Sequence, residues 1–453
     1  TLVLENSGEI VEKYIWTVDG IETAETGERF VLTDAGVKEV RVYAQAANGC
    51  LSDTVAVATQ LGIIPDVQLA ETAFVSYPDS THIIYVKQAD GLTADDYDFA
   101  WTSMPDNKIN GSTSELSAMT VPMTEDVKYT FVATSKNNPV CQAVDTAWGY
   151  MIPKVASVGI DKDENTGDLY LAWSEEELGL ADSVRIMNIK WDGYAVESSY
   201  APLTMAVGEA EKYIIDTSKD TLEFFYINAS RYIPELGKSY YSLSSDTVGY
   251  FKQWLYANSG KTTSNNMISF PFLMNNIKDN TELGTYIGNG SDGNLAVATI
   301  GTWTFEKQTW QLATYMKATK KWIGTSFEIV PGKIYSVVLQ NTETSRELLM
   351  YGTLPSKYSY DFALTPAGKT TGNNYFMMPL NMYGVNTRQG LGMNISGIST
   401  VATFNFTKQV WEIATYMSTT NKWIPSMESD TIFINCWLPI QAVVKEALLN
   451  WGK

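Results

Sequence analysis

The 453-residue sequence predicts an all-β protein: tandem β-sandwich modules followed by a duplicated, smaller β-rich unit. Three observations carry that expectation. Short runs rich in Val, Tyr, Thr and Phe alternate apolar with polar residues and are parted by Asp/Asn/Gly/Ser clusters every 8–12 residues or so, the period of half-buried strands. A strand bearing a central Trp recurs at Trp16, Trp101 and Trp173. Near the end, a long segment repeats itself at a constant offset of 101 residues.

The first module, expected over 1–62, reads as the strand Tyr14-Ile15-Trp16-Thr17-Val18, the turn Asp19-Gly20, Arg29-Phe30-Val31-Leu32, and the alternating strand Lys38 to Ala44. It closes on Cys50-Leu51-Ser52-Asp53-Thr54-Val55. The second, 63–154, repeats the order with Tyr97-Asp98-Phe99-Ala100-Trp101, Val127 to Thr134, Cys141 and Asp145-Thr146-Ala147. The third, 155–258, has Asp168 to Ser174 as its Trp strand and ends Ser245-Asp246-Thr247-Val248-Gly249-Tyr250. Its Trp-to-Asp spacing of 73, against 37 and 44 before, requires inserted strands or a long loop.

The Trp strand, alternating strand, Cys and Ser-Asp-Thr-Val order resembles the PKD-like and Ig-like modules of secreted and surface proteins of the Bacteroidota. The third module resembles the fibronectin type III modules of such proteins. The resemblance implies an extracellular or cell-surface location. Six Asp-(Ser/Thr)-apolar triplets, Asp145-Thr146-Ala147 and Asp246-Thr247-Val248 among them, resemble O-glycan acceptors of that group, and turn chemistry alone accounts for half of them. Cys50 and Cys141 lack a partner within their own modules, and buried free thiols are expected at both.

The repeat occupies the expected units 259–360 and 361–453. Phe305 to Met316 matches Phe406 to Met417, and Lys321-Trp322-Ile323 matches Lys422-Trp423-Ile424, all at offset 101. Upstream, Asn266 to Pro271 matches Asn374 to Pro379 at offset 108. A hairpin turn is expected at Glu306-Lys307-Gln308-Thr309, followed by a strand that points Trp310, Leu312, Thr314 and Met316 to one face. The unit resembles a small module of extracellular multidomain bacterial proteins that opens Asn-x-Ile-Ser-x-Pro and closes Pro-Gly-x-x-Tyr-x-Val. The second copy has Ile432-Phe433 where Pro331-Gly332 stands in the first, and a differently bent last strand is expected there.

Composition narrows the function. With 32 Lys+Arg against 51 Asp+Glu, the net charge of −19 argues against a nucleic-acid partner. No apolar run reaches the roughly 18 residues of a membrane span. A single histidine, His82, excludes a two-His zinc site, and no cofactor motif is present. The charge is uneven. Residues 1–258 hold 17 Lys+Arg and 39 Asp+Glu, hence −22, while the remainder holds 15 and 12, hence +3, with seven of the thirteen Trp.

Ligand-binding candidates are the duplicated Lys307, Gln308, Trp310, Tyr315 and Trp322 with Lys408, Gln409, Trp411, Tyr416 and Trp423. Aromatic faces stack on sugar rings and Lys and Gln bond hydroxyls, whereas a small module also needs its Trp for the core. The oxygen-rich turn with Asp161, Asp163 and Asn165 looks like a calcium loop, but Thr166 and Ala172 stand where an EF-hand needs Gly and Glu, so a solvated turn is preferred. The expected function is non-enzymatic: a cell-surface stalk with a C-terminal adhesion or binding unit whose partner is a glycan or another surface protein. The alternatives are a carbohydrate-binding accessory region of a larger secreted enzyme and a structural spacer or surface-layer component.

Overall fold

The computed structural model describes residues 2–447 apart from 356–363, 378–397, 425–438 and stretches of seven residues or fewer. Among the described residues the chain is all-β, with two short α-helices, and it divides into two compact units: 1–153 with 232–240, and 154–231 with 241–453.

In the first unit, Lys13–Val18 lies between Ile21–Glu22 and Gly36–Gln45, and Val55–Leu61 completes the sheet. Trp16 is buried against Phe30, Val40 and Val42, its ring 5.3 Å from that of Phe30. A second pair of sheets encloses Trp101, which tilts against Phe131 at 4.8 Å. Each indole N–H needs an acceptor once it leaves water, and each finds a loop carbonyl at 2.8 Å, Gly27 for Trp16 and Glu115 for Trp101. The recurring Trp strands are therefore core strands. Cys50 is exposed, in the turn after Asn48-Gly49, and Cys141 is half-buried in the turn after Asn138. The expected burial of both thiols is corrected, because each residue falls on a turn rather than inside a strand; Cys436 lies outside the described residues.

In the second unit, Val158–Lys162, Leu169–Trp173 and Lys212–Ile214 form one sheet. It packs through Leu169, Leu171 and Trp173 on Phe225, Ile227, Val248 and Tyr250 of a larger sheet. The long Trp173-to-Asp246 interval is filled by short strands at Val196–Glu197, Leu203–Ala206 and Lys212–Ile214. The larger sheet continues into the repeat region. Val248–Leu255 pairs antiparallel with Arg346–Thr353, from Val248 opposite Thr353 to Leu255 opposite Arg346, and Leu222, Phe224 and Leu255 share one core with Phe270, Phe272 and Tyr335.

The repeat strands of the first copy are β1 (Ser264–Ser269), β2 (Val297–Thr304), β3 (Thr309–Met316), β4 (Lys321–Gly324) and β5 (Ile334–Leu339). Those of the second are β6 (Gly372–Met377), β7 (Ile398–Asn405), β8 (Val410–Met417), β9 (Lys422–Ile424) and β10 (Pro439–Val444). The sheets have the same order, β1-β5-β2-β3-β4 and β6-β10-β7-β8-β9, and the same register irregularity, at Val297/Thr299 and Ile398/Thr400. Pro439 takes the place of Ile334 at offset 105, and the last strand pairs in the same register in both copies; Ile432-Phe433, on which the expected difference in bend rests, lies outside the described residues. In the first copy a helix, α1 (Asn280–Ile287), is capped by Asp279, whose carboxylate accepts from the Thr281 and Glu282 N–H groups.

Candidate functional site: the paired sheet faces of the repeat

Strand alternation divides each repeat sheet into two faces. On the first copy, Met267, Ser336, Gly301 and Leu312 lie in one row across β1, β5, β2 and β3, and Trp303 faces Trp310 in the next. The matching row in the second copy is Tyr375, Gln441, Ala402 and Ile413, with Phe404 opposite Trp411. These two faces meet. Met267, Ile334 and Phe404 form a buried cluster with Trp310, Tyr375, Phe406 and Trp411 packed on it. Tyr375 is the centre, its ring 4.7 Å from Trp303, 5.2 Å from Trp310 and 5.4 Å from Trp411. Desolvation in this cluster raises the Tyr375 phenol above its ordinary pKa.

Two reciprocal polar clamps lock the pair. Asn266, fully buried on β1, accepts from the Tyr256 N–H at 2.8 Å and donates to the Tyr256 carbonyl at 3.2 Å, so its amide imitates a ladder pair with the incoming chain. Asn374 on β6 does the same to Thr365, at 3.0 and 3.2 Å. Each clamp receives a glutamine from the other copy. Gln308 Nε2 donates to the Thr365 carbonyl at 3.2 Å, and Gln409 Nε2 donates to the Tyr256 carbonyl at 2.8 Å. Both glutamines hold a left-handed backbone, φ 51° and 54°, which costs a side-chain-bearing residue about 1 kcal/mol. Glycine would take that turn position without strain, but only an amide side chain makes the cross-copy bond. Gly372 makes room for it, since a Cβ there would stand 2.9 Å from Gln308 Oε1.

The candidate residues therefore separate into distinct environments. Gln308, Gln409, Trp310 and Trp411 are half-buried in the contact between copies. Tyr315 points to the opposite face and is buried against Trp322 at 5.6 Å; Trp322 presses on α1, where a Cβ on Gly284 would clash with its ring. Tyr416 is half-buried against the main core, and Trp423 lies opposite it in the strand register. Lys307 and Lys408 are exposed on their turns, with Lys408 Nζ 3.1 Å from Glu412. The Glu412 carboxylate is held below its ordinary pKa by Asn405 and then by Lys408.

Sequence reasoning passed over Asn266, Asn374 and Tyr375. The signal for the first two was present, as the repeated opening Asn of the Asn-x-Ile-Ser-x-Pro motif. Also passed over was the far end of each paired face. There Leu312, Met316 and Ile323 are 49%, 41% and 54% exposed, and their equivalents Ile413, Met417 and Ile424 are 51%, 40% and 51% exposed.

Elsewhere, Asp163 Oδ1 accepts from the Asn165 and Thr166 N–H groups, which hold its pKa below the ordinary carboxylate value, and its other oxygen lies 3.9 Å from Lys212 Nζ. Asp161 accepts from the Lys162 N–H. This is the bonding of a self-closed turn. Among the described residues no group of three or more His, Cys, Asp or Glu is placed to hold a metal ion. His82 stacks on Phe74 at 4.1 Å and meets Glu71 at 3.1 Å. Asp145, in a triplet, accepts from the Leu69 and Thr146 N–H groups. No described helix is long and apolar enough to cross a membrane.

No protein-family model matches the chain. No curated protein sequence matches it either. Among solved structures, the FN1-FN3 domains of chicken CNTN1 share 13% identity over 53% of this chain and 88% of that one, with a TM-score of 0.23. The fibronectin(III)-like modules of Clostridium thermocellum CbhA share 15% over 33% and 82%, with a TM-score of 0.16. The N-terminal four Ig domains of Dscam1 share 10% over 52% and 66%, with a TM-score of 0.22. The architecture rests on the strands and registers described above.

Proposed function

We propose that the chain is a non-enzymatic, extracellular modular protein, a surface stalk whose C-terminal repeat pair makes the contact, and that its partner is a protein surface. The five sequence modules are its building units. The supporting observation is the division of the paired face. Its aromatic end is closed between the copies around Tyr375, and its open end presents aliphatic side chains twice. Flat aromatic platforms suit sugar rings, whereas clustered Leu, Ile and Met suit the apolar centre of a protein interface. The charge agrees: the stalk at −22 repels like surfaces, and the repeat region at +3 does not.

The test presents the chain to immobilised extracellular proteins and to a glycan panel. Retention on protein, lost in a Leu312→Lys/Ile413→Lys variant that still folds, is the expected result. Saturable glycan binding that the same variant keeps, or hydrolysis of a glycan or peptide abolished by one carboxylate substitution, would overturn it.

A further inference from the structure

From the same face, and resting on its reading as the contacting surface, we infer that the partner is a second copy of this chain. The uncovered end of each face is continuous with the end already packed between the copies. Trp310, Leu312, Thr314 and Met316 follow one another on the same side of β3, and Ile323 joins them opposite Thr314. The second copy repeats the series as Trp411, Ile413, Thr415 and Met417, with Ile424 opposite Thr415. Within one chain, then, this type of face already packs on its own duplicate. A surface that is complementary to itself at one end and apolar at the other extends naturally onto the same surface of another molecule.

The two copies also serve as an internal comparison. Some exposed positions nearby have drifted, Thr309 against Val410 and Ala318 against Thr419, while others, Lys307 against Lys408 and Thr319 against Thr420, are kept. The three aliphatic positions keep their apolar character, with Leu312 against Ile413, Met316 against Met417 and Ile323 against Ile424, at nearly equal exposure. Solvent alone places no such demand on an exposed strand position, and a contact made by both copies does. Edge pairing at β4 and β9, the edges beside this face's open end, is disfavoured, because each begins with a lysine, Lys321 and Lys422, the residue type that discourages strand addition. The association is therefore face to face. The small net charge of the repeat region permits it, whereas the acidic stalk does not associate.

Sedimentation velocity of the full chain over about 1–100 µM tests this. The expected result is concentration-dependent self-association, weakened at least about tenfold by Leu312→Lys/Ile413→Lys and separately by Met316→Lys/Met417→Lys. Val140→Lys, at an apolar position 89% exposed in the first unit, should leave the association unchanged. Near-UV circular dichroism confirms that the variants fold. Association that survives both double variants overturns the inference. A chain that stays monomeric yet binds another immobilised protein through a Leu312/Ile413-dependent contact also overturns it, while leaving the contacting-end reading in place. A monomer that binds no protein overturns both.

Discussion

The two repeat copies have one sheet order and one register, and both feed the core that holds Leu222, Phe224 and Leu255, yet they differ at single positions within it. In the first, the Tyr335 hydroxyl is buried, accepting from the Val330 N–H at 2.8 Å and donating to the Glu328 carbonyl at 3.0 Å. Burial raises that phenol above its ordinary pKa. In the second copy the equivalent position is Ile440, which needs no polar partner. What differs between copies thus follows what each packs against. The features held in common, the Asn clamp, the left-handed Gln and the Trp, serve the contact between the two copies.

The most severe way to break this reciprocity is Trp303→Ala, which empties a buried site beside Tyr375; a loss of about 3–5 kcal/mol is expected in denaturant titration. Phe404→Ala, its counterpart, should cost a similar amount. Should one be severe and the other cost under about 1 kcal/mol, the contact would not be reciprocal.

A gentler probe separates the glutamine side chain from its backbone. Gln308→Ala keeps the left-handed strain and loses the cross-copy bond, an expected cost of about 1 kcal/mol. Gln308→Gly loses the same bond but relieves the strain, so its stability should stay within about 0.5 kcal/mol of the parent. The same split is expected at Gln409, and equal costs for Ala and Gly at either site would show that the turn conformation does not matter.

The smallest effect belongs to one copy alone. Asp292 is exposed, and Lys317 at 2.6 Å, with the Asn294 N–H, holds its carboxyl down to about 2. A depressed carboxylate stabilises the fold above its unfolded pKa of 3.8, and that contribution fades as pH falls through about 2. Carboxyl NMR titration should place the midpoint near 2, and Lys317→Ala should move it upward; an unmoved midpoint would remove Lys317 as the cause.

Much of this was legible in the chain. Period-two alternation located the strands around Trp16, Trp101 and Trp173, and self-comparison located the repeat, its hairpin turn and the facing of Trp310 through Met316. Alternation names a face but not its cover, so the meeting of the two faces on Tyr375 could not be read. Nor could the pairing of Val248–Leu255 with Arg346–Thr353, whose partners stand about a hundred residues apart with nothing local to specify the match. Asn266 and Asn374 were visible as a repeated motif position, but their task was not: the Asn266 bond to Tyr256 satisfies a backbone, and any backbone looks the same in sequence.

That long-range strand pair has a mechanical consequence. Leu255 and Arg346, where the chain enters and leaves the first repeat copy, lie directly opposite one another, and Val248 and Thr353 lie together at the far end. Tension arriving through Val248 and leaving through Thr353 opens this antiparallel pair one rung at a time from that end. Thr353 also exchanges N–H and C=O bonds with Leu273 of the first copy, at 2.8 and 3.2 Å, so the pulled end is tied to that copy at one point while the pair closes the rest of it into a loop. The copy is a loop on a zipper, fastened at the zipper's open end through Leu273.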